Sequence, residues 1–156
     1  GFEDTPLKIR RAFYIVRRNE RGEQLVAAHV VRAGASCEDP EDVSVAVVGD
    51  RIRVRTEVRV DRPMDYVHLK DMHPAGLEPT NVLSGYRYQD ATGYYQSTRD
   101  TATHFFFSSL VPGTFVLEYD LTANQRGDFS SGISTIQCMY APEFSSHAEG
   151  LMLDIA

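Results

Sequence analysis

The chain contains little cysteine, no tryptophan and no long apolar segment. Its two cysteines, Cys37 and Cys138, are too few for a fold built on a disulfide framework. A disulfide between them would close a loop of about 100 residues, and two free buried thiols are the alternative. No apolar run approaches the roughly 18 residues of a membrane-spanning helix. These absences favour a soluble domain whose stability comes from an apolar core.

The acidic charge balance restricts the class of partner. The formal net charge is -6 and the pI is about 5.3, whereas a nucleic-acid-binding domain presents a basic face. We therefore expect no nucleic-acid partner. The N-terminal stretch is locally basic, and alternating strands usually present such side chains to solvent. A solvated face is the expectation for its five arginines: Arg10, Arg11, Arg17, Arg18 and Arg21.

Alternation of apolar and polar residues is the dominant local pattern, and it indicates β-strands with one buried face. It is clearest in Arg51–Asp61 and Phe115–Thr122. About eleven short strands separated by turn-forming residues predict an all-β fold, a single antiparallel β-sandwich over residues 1–156 with little helix. Eight residues are expected to line its core: Ile52, Val54, Val58, Val60, Phe115, Leu117, Tyr119 and Leu121.

No catalytic or metal-binding motif is recognisable. HExxH, GxSxG and phosphate-binding glycine loops are all absent. The cluster Asp65-x-x-His68-x-x-Asp71-x-His73 would place Asp65 and Asp71 on one face of a strand and His68 on the other, so we interpret it as polar surface. We expect no enzyme activity, no metal and no cofactor. The histidines as a set lack the spacing of metal ligands: His29, His68, His73, His104 and His147.

Four tyrosines, Tyr86, Tyr88, Tyr94 and Tyr95, flank the loop Gln89–Gly93. A tyrosine ring joins an apolar surface to a polar tip and suits contact surfaces. The four side chains would form a surface that stacks on sugars, or they would pack across the strands of a hairpin. A carbohydrate-binding β-sandwich module is therefore the alternative function for this chain.

The segment Thr135–Phe144 has the alternation of a strand, which we expect to break at Pro142 because proline cannot donate to a strand ladder. Met139 and Tyr140 would then lie where the strand runs out into a loop. That position presents side chains to a partner. The alternative is that both side chains pack in the local core.

Five motifs occur in the order in which one protein family carries them. The first two are Val48–Val54 and Asp61–Val67. Asp71-Met-His-Pro-Ala-Gly-Leu-Glu-Pro79 is similar to a DxxPAGFEP turn, with Leu77 for the usual Phe. Leu110-Val-Pro-Gly-Thr-Phe115 is similar to an LPAGT turn, and Gln137-Cys-Met-Tyr-Ala-Pro142 to an xxMYxP stretch. With these motifs the chain resembles the C-terminal macroglobulin-like domain of bacterial α2-macroglobulin family proteins.

The resemblance implies a macroglobulin- or immunoglobulin-like sandwich excised from a larger chain. Family members are cell-envelope or periplasmic proteins that trap proteases and capture them through a Cys–Gln thioester on a helical domain. Neither Cys37 nor Cys138 starts the Cys-x-x-Gln motif that this chemistry needs. The implied role is non-catalytic: packing against the thioester-bearing domain and other macroglobulin-like domains, with Met139 and Tyr140 as interdomain contacts that shield the thioester. The full-length protein, rather than this domain alone, would bind host or competitor proteases.

Overall fold

The computed structural model of the protein describes residues 6–32, 43–80, 84–89, 92–99, 101–148 and 150–156. These residues form fifteen β-strands and no helix. No helix among them is long and apolar enough to cross a membrane. The strands are β1 (Leu7–Asn19), β2 (Gly22–Ala28), β3 (Val30–Arg32), β4 (Val43–Ser44), β5 (Arg51–Val60), β6 (Met64–Met72), β7 (Leu77–Pro79), β8 (Ser84–Gln89), β9 (Thr92–Thr98), β10 (Ala102–Leu110), β11 (Gly113–Ala123), β12 (Gly127–Ser130), β13 (Ser134–Cys138), β14 (Ala141–Ala148) and β15 (Leu151–Ile155).

The strands form three sheets. The first sheet has the order β4-β2-β1-β5-β11-β7, the second β14-β13-β6-β10-β9-β8, and the third β12-β15-β3. Pairing between described strands is antiparallel except between β2 and β4. The predicted all-β antiparallel sandwich is therefore confirmed, with more strands than the turn signals indicated.

The inner face of the first sheet contacts both other sheets and generates two apolar cores. The first core lies between the first and second sheets and includes Leu7, Val58 and Phe115 opposite Leu69 and Phe105. The second core lies between the first and third sheets, where Ile15, Ile52 and Leu121 meet Leu153 and Ile155. Every second side chain of β1, β5 and β11 points to this inner face. Because these strands extend across both cores, each contributes to one core near one end and to the other core near the other end.

The predicted core residues of β5 and β11 are buried, apart from Tyr119. Tyr119 is partly buried and packs against both cores, because it lies where the first core gives way to the second. Its hydroxyl is directed at a polar cluster between the cores rather than at apolar side chains.

The structure corrects the prediction for Thr135–Phe144. The strand β13 ends at Cys138, Met139 and Tyr140 form a turn, and β14 begins at Ala141 and runs through Pro142. Proline is tolerated there because β14 is the edge strand of the second sheet, where an N–H group can point away from the ladder. Pro142 itself has no partner in β13, and the pairing of the two strands resumes at Ser145.

Gly76 has a conformational and a packing role in the turn before β7. Its φ is +82°, in the left-handed region that glycine adopts without steric cost. A Cβ atom at this position would lie 2.6 Å from the Phe129 ring, which covers the turn from β12. The glycine of the Pro74-Ala-Gly76 motif is thus required both by the backbone and by the third sheet.

Candidate contact surface

Met139 and Tyr140 form the two-residue turn between β13 and β14, in which Cys138 pairs with Ala141. The pairing shifts between Gln137 and Cys138, since Gln137 lies opposite Ser145. Residues 142–144 of β14 therefore bulge out of the ladder, as bulges do where a strand must bend. The result is an exposed tip on which 56% of the Met139 surface and 79% of the Tyr140 surface face solvent.

The base of this turn is held against the sandwich. Phe144, at the end of the bulge, packs against the first core. The Arg62 guanidinium lies 5.4 Å from the centre of the Phe144 ring, within the range of a cation–π contact. The Cys138 thiol is buried and donates to the carbonyl oxygen of Asp65 at 3.3 Å. The turn thus projects from a fixed base.

Tyr66, in the neighbouring strand β6, touches the turn through both its backbone and its side chain. Its carbonyl oxygen accepts a hydrogen bond of 2.8 Å from the Met139 N–H. Its ring meets the Tyr140 ring edge to face, with centres 5.1 Å apart and planes at 83°. Tyr66 is itself 51% exposed. Tyr66, Met139 and Tyr140 together form a patch that we call the turn patch.

Tyr66 has a φ of 56° and is the only non-glycine residue among those the structure describes with a positive φ. A left-handed conformation costs a side chain about 1–2 kcal/mol. The conformation also breaks the alternation of β6, so that Met64 and Val67 are both buried and Asp65 is exposed. Asp65 and Asp71 therefore do not share a face, contrary to the sequence prediction.

The tyrosines of β8 and β9 do not all serve one surface. Tyr94 packs against the first core, with its ring centre 5.8 Å from that of Phe105 and 5.4 Å from that of Phe107. Tyr95 contacts Phe106 instead, at 6.3 Å. Tyr86 and Tyr88 lie in β8, where Tyr86 pairs with Tyr95 and Tyr88 with Gly93; their side chains lie outside the described part of the structure. Tyr94 and Tyr95 therefore do not lie on one common surface. A sugar-stacking role for the four tyrosines stays a prediction.

Two histidines that are far apart in the sequence meet on the second sheet. His68 Nε2 lies 2.9 Å from His104 Nδ1, and the rings are parallel with centres 5.1 Å apart. Phe106 stacks on His68 at 4.6 Å. Partial burial lowers the pKa of both histidines, and the positive charge of Lys70 acts in the same direction on each. The two imidazoles are therefore held in their neutral form more strongly than in an unfolded chain.

A buried polar belt separates the two apolar cores and consists of Arg11, Asp71, Tyr119, Ser131 and Ser134. Arg11 Nη1 lies 3.0 Å from Asp71 Oδ1, and the two side chains are 1% and 0% exposed. Tyr119 and Ser134 donate their hydroxyl protons to the same carboxylate. Burial, reinforced by the negative charge of Asp71, raises the pKa of Tyr119 well above its ordinary value. The carboxylate thus receives three hydrogen bonds within the protein.

Arg11 also binds the third sheet to the belt. Its Nη2 donates to Ser131 Oγ at 2.7 Å and to the Gly132 carbonyl at 2.6 Å. Ser131 Oγ in turn accepts the Leu151 N–H at 2.9 Å. A single guanidinium therefore connects β1, the end of β6 and the start of β15, which belong to three different sheets.

The belt corrects two sequence predictions. Arg11 was expected on a solvated face and is 2% exposed, whereas Arg17 and Arg18 of the same strand are exposed. Asp71 and His73 were expected on a polar surface, but Asp71 is fully buried and His73 is 7% exposed. His73 borders an open cavity of about 670 Å³, and its Nε2 lies 2.7 Å from Thr103 Oγ1.

No group of three or more potential metal ligands occurs among the described residues. His68 and His104 meet each other, and His73 meets Thr103. Cys138 carries a free thiol in the structure. Cys37, the other half of the disulfide considered above, lies outside the described residues.

A signal for the burial of Arg11 was present in the sequence. Leu7, Ile9, Phe13 and Ile15 alternate along β1, and Arg11 occupies the middle position of that inward-facing series. Applied to β1, the period-two rule places Arg11 inside. For Tyr66 the sequence offers no comparable signal, because the left-handed conformation is usually marked by Gly or Asn.

Most of the chain matches a known protein family. A family described as "Bacterial Alpha-2-macroglobulin MG10 domain" matches residues 7–143. No curated protein matches the chain.

Solved structures of bacterial alpha-2-macroglobulins share the fold of the chain. A mutant of Salmonella alpha-2-macroglobulin is 19% identical with a TM-score of 0.66, and the match covers 98% of this chain and 9% of that one. Escherichia coli alpha-2-macroglobulin activated by porcine elastase is 18% identical with a TM-score of 0.66, covering 97% and 13%. The native E. coli protein from domain MG7 to the C-terminus is 16% identical with a TM-score of 0.61, covering 97% and 24%. The chain thus spans only a small part of each.

Proposed function

Because the chain belongs to the bacterial alpha-2-macroglobulin MG10 domain family, we propose that it is a non-catalytic interaction domain of a longer, broad-spectrum protease-trapping protein. Membership confirms the resemblance drawn from the five sequence motifs. The partners in this proposal are the thioester-bearing helical domain and other macroglobulin-like domains of the same polypeptide. The full-length protein binds proteases in the periplasm or at the cell envelope. Within it, residues 1–156 form one C-terminal domain.

The turn patch carries the proposal. Met139 and Tyr140 are large apolar or aromatic side chains that the fold leaves 56% and 79% exposed. Tyrosine is among the residues that contribute most to protein interfaces, and methionine is enriched there. Phe144 and Cys138 hold the base of the turn against the sandwich, and the two side chains lie outside it. That exposure supports a contact role for Met139 and Tyr140 over the alternative that both pack in a local core.

Shielding is the function that suits such a patch. An acyl thioester is lost to water and to small amines, so a neighbouring domain protects it by excluding solvent. An apolar thioether and an aromatic ring exclude water and bring no amine or thiol nucleophile to the acyl carbon. We therefore assign to Met139 and Tyr140 the role of a cap over the thioester before activation.

The test uses the full-length protein and follows thiol release in methylamine. Tyr140→Ala is expected to accelerate release about tenfold or more, the ratio that corresponds to losing a contact of about 1.4 kcal/mol. Met139→Ala is expected to act in the same direction. Met152→Ala is the matched control, because Met152 is also an exposed methionine (40%) but lies on the third sheet.

Two results would contradict the shielding role. One is unchanged thiol release in Tyr140→Ala with an intact thioester, and the other is a full-length protein that contains no thioester. Melting curves of the variants separate shielding from folding: a loss of about 10 °C or more would show that the tyrosine stabilises the sandwich instead.

A further inference from the structure

We propose that Tyr66 is a positioning residue that holds the ring of Tyr140 in one orientation on the contact surface. The importance of that orientation for a partner rests on the proposed function, whereas the contact between the two rings does not. Tyr66 belongs to a different strand and lies 74 positions before Tyr140 in the numbering. Its part in the surface arises only because the pairing of β6 with β13 brings the two together.

The backbone of Tyr66 fixes the start of the turn. The ladder between β6 and β13 ends where Val67 pairs with Cys138. One residue further, the Tyr66 carbonyl accepts the Met139 N–H at 2.8 Å. This hydrogen bond extends the contact between the two strands beyond the regular ladder and into the turn. The backbone conformation of Tyr66 therefore fixes the position of the first turn residue, Met139.

The side chain of Tyr66 supplies the second contact. Its ring meets that of Tyr140 edge to face at 5.1 Å and 83°, the arrangement that aromatic quadrupoles favour. Tyr140 is 79% exposed, so little else in the domain restricts its side-chain rotamers. Restricting a side chain before a partner binds removes an entropic cost from the binding step.

The residue type at position 66 supports this assignment. A glycine would adopt the φ of 56° without strain, whereas a tyrosine side chain must overcome a steric cost. Strained residues of this kind persist where the surrounding structure holds them, and they cluster at functional sites. The Tyr66 side chain is half exposed and so adds little core burial. A glycine at position 66 would keep the backbone conformation but would lose the ring contact with Tyr140.

The first test measures the orientation of Tyr140 directly by NMR in the 156-residue chain. Three-bond couplings about χ1 of Tyr140 should report one dominant rotamer in the wild type and in Tyr66→Phe, which keeps the ring. In Tyr66→Gly, which keeps the backbone conformation and removes the ring, the preference should fall about two- to tenfold. Rotamer averaging of Tyr140 already in the wild type, or an unchanged rotamer in Tyr66→Gly, would overturn the proposal.

The second test measures the consequence in the full-length protein. Tyr66→Gly should accelerate thiol release in methylamine about two- to tenfold. Tyr66→Phe, which keeps the ring, should release thiol at the wild-type rate. Tyr66→Gly combined with Tyr140→Ala should release thiol at the rate of Tyr140→Ala alone, because Tyr66 acts through Tyr140.

The two proposals fail in different ways. Acceleration by Tyr140→Ala without acceleration by Tyr66→Gly refutes the positioning role and leaves the shielding role intact. No acceleration by Tyr140→Ala refutes the shielding role, and the NMR couplings then decide alone whether Tyr66 orients the ring. A rate for Tyr66→Phe equal to that of Tyr66→Gly would assign the effect to something other than the ring contact.

Discussion

Replacing Arg11 with methionine should destabilise the fold far more than removing an exposed arginine from the same strand. Methionine retains much of the length and volume of the side chain but removes the guanidinium. Asp71 then remains buried without its cation, and breaking a buried ion pair in this way costs about 3–5 kcal/mol. Tyr119 and Ser134 still donate to the carboxylate, which favours the lower end of that range. Ser131 and two carbonyl groups lose a donor, which favours the upper end.

Arg17→Met is the matched control. Arg17 lies in the same strand, and its Nη1 lies 3.0 Å from Asp50 Oδ1, the separation found between Arg11 and Asp71. The Arg17 side chain is 44% exposed, however, against 1% for Arg11. Because exposed pairs contribute only about 0–1 kcal/mol, the expected difference between the two variants reflects the burial of Arg11 and the additional hydrogen bonds that it donates.

Urea and thermal unfolding of the two variants measure this difference. At about 2–4 °C per kcal/mol for a domain of this size, Arg11→Met should lower Tm by roughly 6–20 °C and Arg17→Met by less than about 4 °C. The double variant Arg11→Met with Asp71→Asn should recover about 1–3 kcal/mol relative to additivity, since the uncompensated charge is gone. A loss of under about 1 kcal/mol in Arg11→Met, or strict additivity in the double variant, would refute the view of Arg11 as the partner of a buried charge.

Two further predictions concern the histidine pair and the turn before β7. Because the folded pKa of His68 and of His104 is depressed, their neutral forms stabilise the fold above about pH 6.5, and this contribution is lost as the pH falls through the folded pKa. Urea midpoints between pH 7.5 and pH 5 should therefore fall less in the double variant His68→Gln, His104→Gln than in the wild type; equal slopes would contradict the assignment. Gly76→Ala should lower Tm, because its φ of +82° and the Phe129 ring at 2.6 Å both oppose a Cβ. Gly22→Ala is the control for backbone strain alone, because Gly22 has a φ of +113° but nothing lies within 4 Å of an added Cβ. An equal fall in Tm in both variants would exclude the contact with the Phe129 ring as a cause.

Local pattern was sufficient for the all-β class and for the central strands. In β5 and β11 the alternation of apolar and polar residues depends only on the pleat of the strand, so Ile52, Val54, Phe115 and Leu121 could be placed in the core from sequence. The glycine of Pro74-Ala-Gly76 likewise signalled a turn from its residue type, and its φ is positive. Such features are determined within a few residues of the chain.

Pairing partners decided the features that the sequence left open or suggested wrongly. Pro142 indicated a strand end, but the edge position of β14 in the second sheet allows the strand to continue. An arginine in an alternating strand indicated solvent, but Asp71 and Ser131, 60 and 120 positions away, supply the charge and hydrogen bonds that make its burial tolerable.

The candidate contact surface depends on both local pattern and tertiary pairing. The sequence identified Met139 and Tyr140 from a motif at the end of an alternating segment, and the structure leaves both exposed. Tyr66 could not be found in that way, because its left-handed backbone and its contact with Tyr140 exist only once β6 and β13 pair. Sequence alone determined the all-β class and which face of the central strands β5 and β11 is apolar, since these depend on neighbouring residues. Tertiary structure decided which polar groups are buried and which rings meet, since these depend on residues that only the fold brings together.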